Sequence, residues 1–156
     1  PGHYALICYI DQHYKAGMFE PFEVTAQQAP AEPLVGDATI GLTDFGFDVP
    51  SELETGQGTF LVSNDGAAVH EPSIMRLTEE HTVDEVTEAL GGDGPRPDFV
   101  LEFGGVGGLD PGLVATTELE LPPGQYVLAC AFPDPETGSA HYQLGMAVGL
   151  EVTGSS

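Results

Sequence analysis

Two segments of this chain carry cysteine, histidine and methionine in the same order. Their anchors are Cys8, His13 and Met18 in the first segment and Cys130, His141 and Met146 in the second. A thiolate, an imidazole and a thioether on one strand–loop–strand unit are ligands of a mononuclear copper site, which needs one further histidine from elsewhere. Soft sulfur ligands favour Cu(I) and imidazole tolerates both oxidation states, so this set suits one-electron chemistry.

The two segments also agree outside these anchors. Matching positions are Pro1 and Pro123, Tyr4 and Tyr126, Leu6 and Leu128, and Gly17 and Gly145. The second segment has ten residues between its cysteine and histidine, whereas the first has four. Agreement at an offset of about one domain indicates an internal repeat. We therefore predict that residues 1–25 are the last hairpin of a preceding, truncated copy of the same domain.

The rest of the chain has the pattern of one β-rich domain. Residues 26–33 are predicted to be a linker, residues 34–153 a complete domain and residues 154–156 a tail. Strands are predicted over residues 37–49, 58–64, 70–77, 99–103, 115–121, 126–132 and 145–152. Thr82 and Glu85 form a capping box for one short helix, which Gly91 ends. This pattern predicts an all-β sandwich with one short helix.

His70 is the candidate for the remaining ligand, because it follows a predicted strand and the turn signal Asn64-Asp65-Gly66. A strand–Asn–loop–His element followed by a Cys…His…Met hairpin resembles the cupredoxin family, the blue-copper fold of plastocyanin and azurin. The resemblance covers residues 34–153 in full and residues 1–25 as a fragment. It implies a Greek-key β-sandwich and a copper cofactor. The implied trigonal ligands are His70, Cys130 and His141, with Met146 as the weak axial ligand and Phe132, Tyr142 and Leu144 as the surrounding shell.

The long second loop, residues 131–140, leaves two outcomes open. Pro133, Pro135 and Gly138 could fold it into a protruding hairpin that returns His141 to Cys130, or the extra length could carry His141 away. The N-terminal segment has the better spacing but lacks an upstream histidine. It could use His70 by displacing the C-terminal hairpin, within one chain or between chains. Such hairpin exchange between chains would produce a homo-oligomer.

Charge limits the classes of partner. The chain has 25 acidic residues against three lysines and arginines, for a formal net charge of −22. Nucleic acids and anionic membranes both require a basic surface, so neither is an expected partner. The remaining interpretations are solubility, life in high salt, where self-repulsion is screened, or steering of a basic redox protein. A copper site with a ligand thiol fits a secreted, periplasmic or cell-surface location.

Two functions from different classes are consistent with these observations. The first is a copper-binding carrier of single electrons that is not itself an enzyme. The alternative is a copper-free cupredoxin-like module for partner binding or for an extracellular or envelope assembly. A fragment of a multicopper oxidase is disfavoured, because the sequence has no His-x-His pair for a trinuclear cluster. A Cys8–Cys130 disulfide is also disfavoured, because equivalent positions of two repeats rarely meet.

Overall fold

A computed structural model describes residues 1–8, 10–26, 32–92 and 94–154 of the chain. The chain divides into two units, Pro1–Pro33 and Leu34–Ser156. Most of the predicted linker, residues 27–31, and the last two residues of the predicted tail lie outside the described part. Among the described residues, no helix combines the length and the apolarity that a membrane span requires.

The first unit is a β-hairpin. Strand β1, Gly2–Ile7, pairs antiparallel with β2, Phe19–Val24, and a 3-10 segment, Ile10–Ala16, lies between them. Apolar side chains occupy both strands, yet no described residue of this unit is buried. An isolated two-stranded hairpin is only marginally stable in water.

The second unit is a sandwich of two β-sheets. Its strands are β3 Ala38–Thr43, β4 Gly46–Asp48, β5 Glu52–Leu53, β6 Gln57–Asn64, β7 Ser73–Leu77, β8 Val100–Gly105, β9 Val114–Glu120, β10 Gly124–Ala129 and β11 Ala147–Val152. The described strands form a five-stranded sheet in the order β5-β11-β10-β7-β8 and a four-stranded sheet in the order β4-β3-β6-β9. The chain crosses between the sheets after β4, β5, β6, β8 and β9. The predicted all-β sandwich is confirmed.

The main core lies between the two sheets, because alternate residues of each strand point inwards. In β6, for example, Phe60, Val62 and Asn64 are buried while their neighbours are half-exposed. The opposing residues on the five-stranded sheet include Ile74, Tyr126, Leu128, Leu150 and Val152. Asn64 is the polar member of the inward-facing series of β6, at the end of the strand that leads towards His70.

Helix α1, Val83–Leu90, covers the outer face of the five-stranded sheet. Its predicted capping box is present: Glu85 N donates to Thr82 Oγ1, and Thr82 N donates to the Glu85 carboxylate at 2.8 Å. Val86 is fully buried in a second cluster with Met75 and Val127. The helix packs on β7 and β10 from outside; β7 follows the loop that carries His70, and β10 leads to Cys130.

Several local predictions are corrected by the structure. Residues 37–49 are not one strand but the hairpin β3–β4, which turns at Asp44 and Phe45. The strand predicted from His70 begins at Ser73, because His70 instead forms an isolated bridge with Leu109. A 3-10 segment, His141–Leu144, was not predicted. The Asn64-Asp65-Gly66 signal was compatible with a hairpin or a tight turn, and β6 and β7 do not form a hairpin, since they lie in different sheets.

Candidate metal centre

Loops from several strands meet at one end of the sandwich. The loop after β6 carries His70, whose backbone exchanges two hydrogen bonds with Leu109 in the β8–β9 loop, at 3.2 and 2.8 Å. The β10–β11 connection supplies Cys130 and His141. The β3–β4 turn supplies Asp44, whose carboxylate lies 3.1 Å from His70 Nε2. Backbone hydrogen bonds thus hold His70 against the β8–β9 loop, and Cys130 directly follows β10.

Three buried side chains present donor atoms to one another. His70 Nδ1 lies 3.1 Å from His141 Nδ1, and Cys130 Sγ lies 3.4 Å from His141 Nδ1. One ligand atom from each of the three falls within 4.8 Å of the other two. Donors bound about 2.0–2.3 Å from a single ion are roughly 3–4 Å apart. The observed separations therefore fit a single metal ion held by two imidazoles and a thiolate.

Met146 lies in the same buried cluster as Cys130. Its side chain is 0% exposed. Its backbone N donates to His141 O at 2.9 Å, and its carbonyl accepts from Cys130 N at 3.1 Å. These backbone bonds place Met146 beside Cys130 and His141, the two candidate ligands of the hairpin. Of the expected shell, Phe132 packs against this core, Tyr142 packs against the cluster under α1, and Leu144 is exposed.

The long loop folds into a small hairpin of its own. Asp134 N donates to Ser139 O and Gly138 N donates to Asp134 O, both at 2.8 Å. His141 N then donates to Phe132 O at 2.9 Å, which closes the base of this hairpin. Of the two outcomes left open by the sequence, the structure has the first. The extra residues leave the site region as a closed turn, and His141 returns to a position beside Cys130.

Comparison with solved structures finds cupredoxins. The Na-dithionite reduced auracyanin of Roseiflexus castenholzii is 26% identical, with a TM-score of 0.48, over 74% of this chain and 95% of that chain. Auracyanin A of Chloroflexus aurantiacus, described as a blue copper protein, is 19% identical, with a TM-score of 0.46, over 74% and 98%. The purple cupredoxin of Nitrosopumilus maritimus is 16% identical, with a TM-score of 0.42, over 75% and 100%. No protein-family profile matches this sequence. No curated protein sequence is significantly similar to it.

The two-sheet sandwich carries a Cys–His–Met connection at the end where an upstream histidine also lies. The chain has a cupredoxin-like fold. Its donor set of one thiolate and two imidazoles, with a thioether in the same cluster, suits copper. The cupredoxin-like end of the sandwich therefore has both the shape and the ligand chemistry of a mononuclear copper centre.

Asn64 organises the loop that carries His70. Its side-chain Nδ2 donates to Ala68 O at 2.8 Å and to Leu109 O at 2.7 Å, while Oδ1 accepts from Gly66 N at 3.0 Å. The side chain is buried, so these three bonds replace the water that its amide has lost. Asn64 thus ties the turn after β6 to the β8–β9 loop and fixes the backbone on which His70 is carried.

The protonation of the donors follows from their burial. Burial raises the pKa of the Cys130 thiol, and a hydrogen bond from Glu71 N to the sulfur, at 3.4 Å, opposes that effect. Burial also lowers the pKa of His141, and the neighbouring His70 lowers it further. A neutral imidazole is ready to bind a metal, whereas the thiol must lose its proton on binding.

Asp44 contacts a candidate ligand and was not among the site residues expected from the sequence. Its Oδ1 accepts from Ala67 N at 2.9 Å and from Ala68 N at 3.2 Å, besides lying against His70 Nε2. The hydrogen bond from His70, followed by that from Ala67, holds the pKa of Asp44 below its usual value. The sequence signal was weak: an Asp two residues before Gly46, inside an otherwise continuous strand pattern.

The N-terminal hairpin has the same local geometry around its own anchors. Cys8 N donates to Met18 O at 3.2 Å and Met18 N donates to His13 O at 3.0 Å, as Cys130, Met146 and His141 do in the sandwich. Cys8 Sγ lies 3.6 Å from His13 Nδ1, but Met18 is 58% exposed. Among the described residues, the cluster of metal-ligating side chains is His70, Cys130 and His141. Both cysteines are free thiols.

Proposed function

We propose that this cupredoxin-like chain binds one copper ion and carries single electrons, without being an enzyme itself. His70, Cys130 and His141 would hold the ion, with Met146 as the weaker fourth ligand. The convergence of three buried donor atoms from distant positions carries the proposal. The burial of two imidazoles beside a thiol supports it further, since burying an imidazole costs desolvation that a metal bond can repay.

The residues of this site hold and insulate the ligands. Copper, when bound, takes up and releases one electron. The sandwich end keeps His70 and Cys130 on strand-anchored backbone, so the donor positions change little between oxidation states. Glu71 N donates to the Cys130 sulfur and stabilises its thiolate form. Burial of His141 and Met146 excludes water from the ligand shell.

Copper titration of the purified chain tests this function. We expect one Cu(II) per chain, an intense visible absorption band from thiolate-to-copper charge transfer, and loss of the band on reduction by dithionite with recovery on reoxidation. Zn(II) added first should compete for the same ligands and produce no colour. Copper binding without the visible band would contradict the proposed ligand set. No copper binding at all would contradict the proposal and favour the copper-free module.

A second function, assembly through the N-terminal hairpin, is supported by that hairpin's exposed residues. Tyr4 and Leu6 occupy the positions that Tyr126 and Leu128 occupy in the sandwich core, and the strand register is the same in both hairpins. Tyr126 and Leu128 are buried, whereas Tyr4 and Leu6 are more than half exposed. We propose that the hairpin packs against a second copy of this chain by hairpin exchange.

Sedimentation of the full chain tests assembly without reference to copper. We expect a concentration-dependent dimer that Leu6→Ser weakens at least tenfold, because this leucine loses about 1.5–3 kcal/mol of burial per hairpin. The matched control is His3→Ser on the opposite face of the same strand, which should leave the dimer unchanged. A chain that stays monomeric at high concentration sinks the exchange proposal.

A further inference from the structure

The two-residue turn between β3 and β4 contacts both histidines of the candidate copper centre. Thr43 pairs with Gly46 across the turn, so Asp44 and Phe45 form its tip. Asp44 Oδ1 lies 3.1 Å from His70 Nε2. The ring of Phe45 meets the ring of His141 edge-on, with centroids 5.3 Å apart and an interplanar angle of 79°. One short turn therefore contacts both imidazoles, and its contact with His70 is at Nε2, the nitrogen away from His141.

The contact with Asp44 determines which nitrogen of His70 faces the metal position. An ionised carboxylate only accepts hydrogen bonds. His70 Nε2 must therefore carry the ring proton and donate a hydrogen bond to Asp44 Oδ1. The lone pair of the neutral ring is then on Nδ1, the atom that lies 3.1 Å from His141 Nδ1. Two backbone N–H groups, of Ala67 and Ala68, hold the same carboxylate oxygen in place.

Gly66 allows the close approach of this pair. A Cβ atom on Gly66 would lie 2.7 Å from Asp44 Oδ1 and 2.9 Å from His70 Nε2. Both distances are shorter than a carbon atom tolerates, so any side chain at this position would separate the carboxylate from the imidazole. Gly66, Asp44 and His70 are therefore packed closely around the hydrogen bond between His70 Nε2 and Asp44 Oδ1.

Phe45 is held in an unfavourable backbone conformation. Its φ is 59°, in the left-handed region that bulky residues rarely adopt. Its side chain remains 41% exposed, yet it shields His141, which is 1% exposed. Strain retained at a bulky residue beside a site suggests that the conformation is needed there. Here the strained residue is the one whose ring meets the ring of His141 edge-on.

We propose that Asp44 and Phe45 form an outer clamp on the two histidines. In this clamp Asp44 lowers the reduction potential of bound copper through His70, and Phe45 keeps water and small ligands from His141. The proposal rests on the proposed copper function. A carboxylate that accepts from an imidazole ligand orients it and increases its basicity, which favours the more highly charged Cu(II). The apolar ring of Phe45 against His141 keeps water out of the ligand shell.

Asp44→Asn tests the first half of the clamp. The amide oxygen can still accept from His70, so we expect copper and its visible band to remain. The ratio of Cu(II) to Cu(I) affinity should fall about tenfold, which corresponds to a rise in reduction potential of about 59 mV for a one-electron couple. The matched control is Asp65→Asn, which removes an equal charge from a residue that contacts Ser63 instead.

Voltammetry of the parent and both variants decides the outcome. A rise in Asp44→Asn that clearly exceeds that in Asp65→Asn supports a role through His70. Equal shifts in both variants, or none in Asp44→Asn, would overturn it. A parent chain that binds no copper would instead refute the proposed function, so the two failures are distinguishable.

Phe45→Gly tests the second half. Glycine adopts positive φ without strain, so we expect thermal stability of the copper-free chain to be retained or increased. Azide or imidazole should perturb the visible and electron paramagnetic resonance spectra of the copper-loaded variant at concentrations at least tenfold lower than in the parent. Phe45→Leu is the control, because it keeps an apolar cover. If parent and Phe45→Gly respond to azide alike, Phe45 does not shield the site.

Discussion

Replacing Cys130 with serine is expected to abolish the visible band of the copper-loaded chain completely. The sulfur is the donor in the charge-transfer transition, and a hydroxyl remains protonated where a thiolate would form. The copper-free variant should also lose about 1–3 kcal/mol of folding free energy, because a hydroxyl replaces a fully buried thiol. Absorption spectra under Cu(II) titration and urea unfolding of the copper-free chain measure the two effects separately.

Cys8→Ser is the matched control for this loss. Cys8 lies in the N-terminal hairpin, and Cys130 in the sandwich, at equivalent points of the same hydrogen-bond pattern. We expect Cys8→Ser to keep the band at full intensity. A band that survives in Cys130→Ser and disappears in Cys8→Ser would place the metal on the N-terminal hairpin instead. A band that returns in Cys130→Ser only at high concentration would indicate hairpin exchange with a second copy.

Removing the side chain of Asn64 is expected to have the second largest effect. Asn64→Ala deletes three hydrogen bonds and leaves the carbonyls of Ala68 and Leu109 and the N–H of Gly66 without that partner. A buried group left unsatisfied costs about 1–3 kcal/mol, so we expect a loss of about 3 kcal/mol after local rearrangement. Copper affinity should fall about 10–100-fold, because the loop that carries His70 loses its support.

The adjacent Ser63→Ala provides the control for Asn64→Ala. Ser63 contacts Asp65 through an exposed side-chain hydrogen bond, so its loss should change stability by less than about 0.5 kcal/mol. Urea unfolding of the copper-free chains measures stability, and competition with a chromophoric chelator measures affinity. If Asn64→Ala unfolds at the parent's urea midpoint, the side chain does not organise the loop.

Elements with strong local signals were predictable from sequence. The helix was recognised because Thr82 and Glu85 satisfy its first backbone donors through side chains that are close in sequence. The final hairpin was recognised because it repeats the N-terminal segment. The β3–β4 turn is hard to predict because Phe45, rather than a glycine or asparagine, occupies its positive-φ position, and the apolar alternation continues through Phe45. The turn residues instead contact His70 and His141, which are distant in sequence.

The sequence by itself determined the ligand types and their order, the β-sandwich class and the capped helix, because these follow from side-chain chemistry and short-range periodicity. Only the tertiary structure decided whether His141 returns to Cys130 across the long loop, since backbone bonds between Asp134, Gly138 and Ser139 close that loop. The tertiary structure alone also brings the Asp44 carboxylate into contact with His70 Nε2. The two are separated by 26 residues, and no local pattern reports a contact that is made when two loops meet at one end of a sandwich.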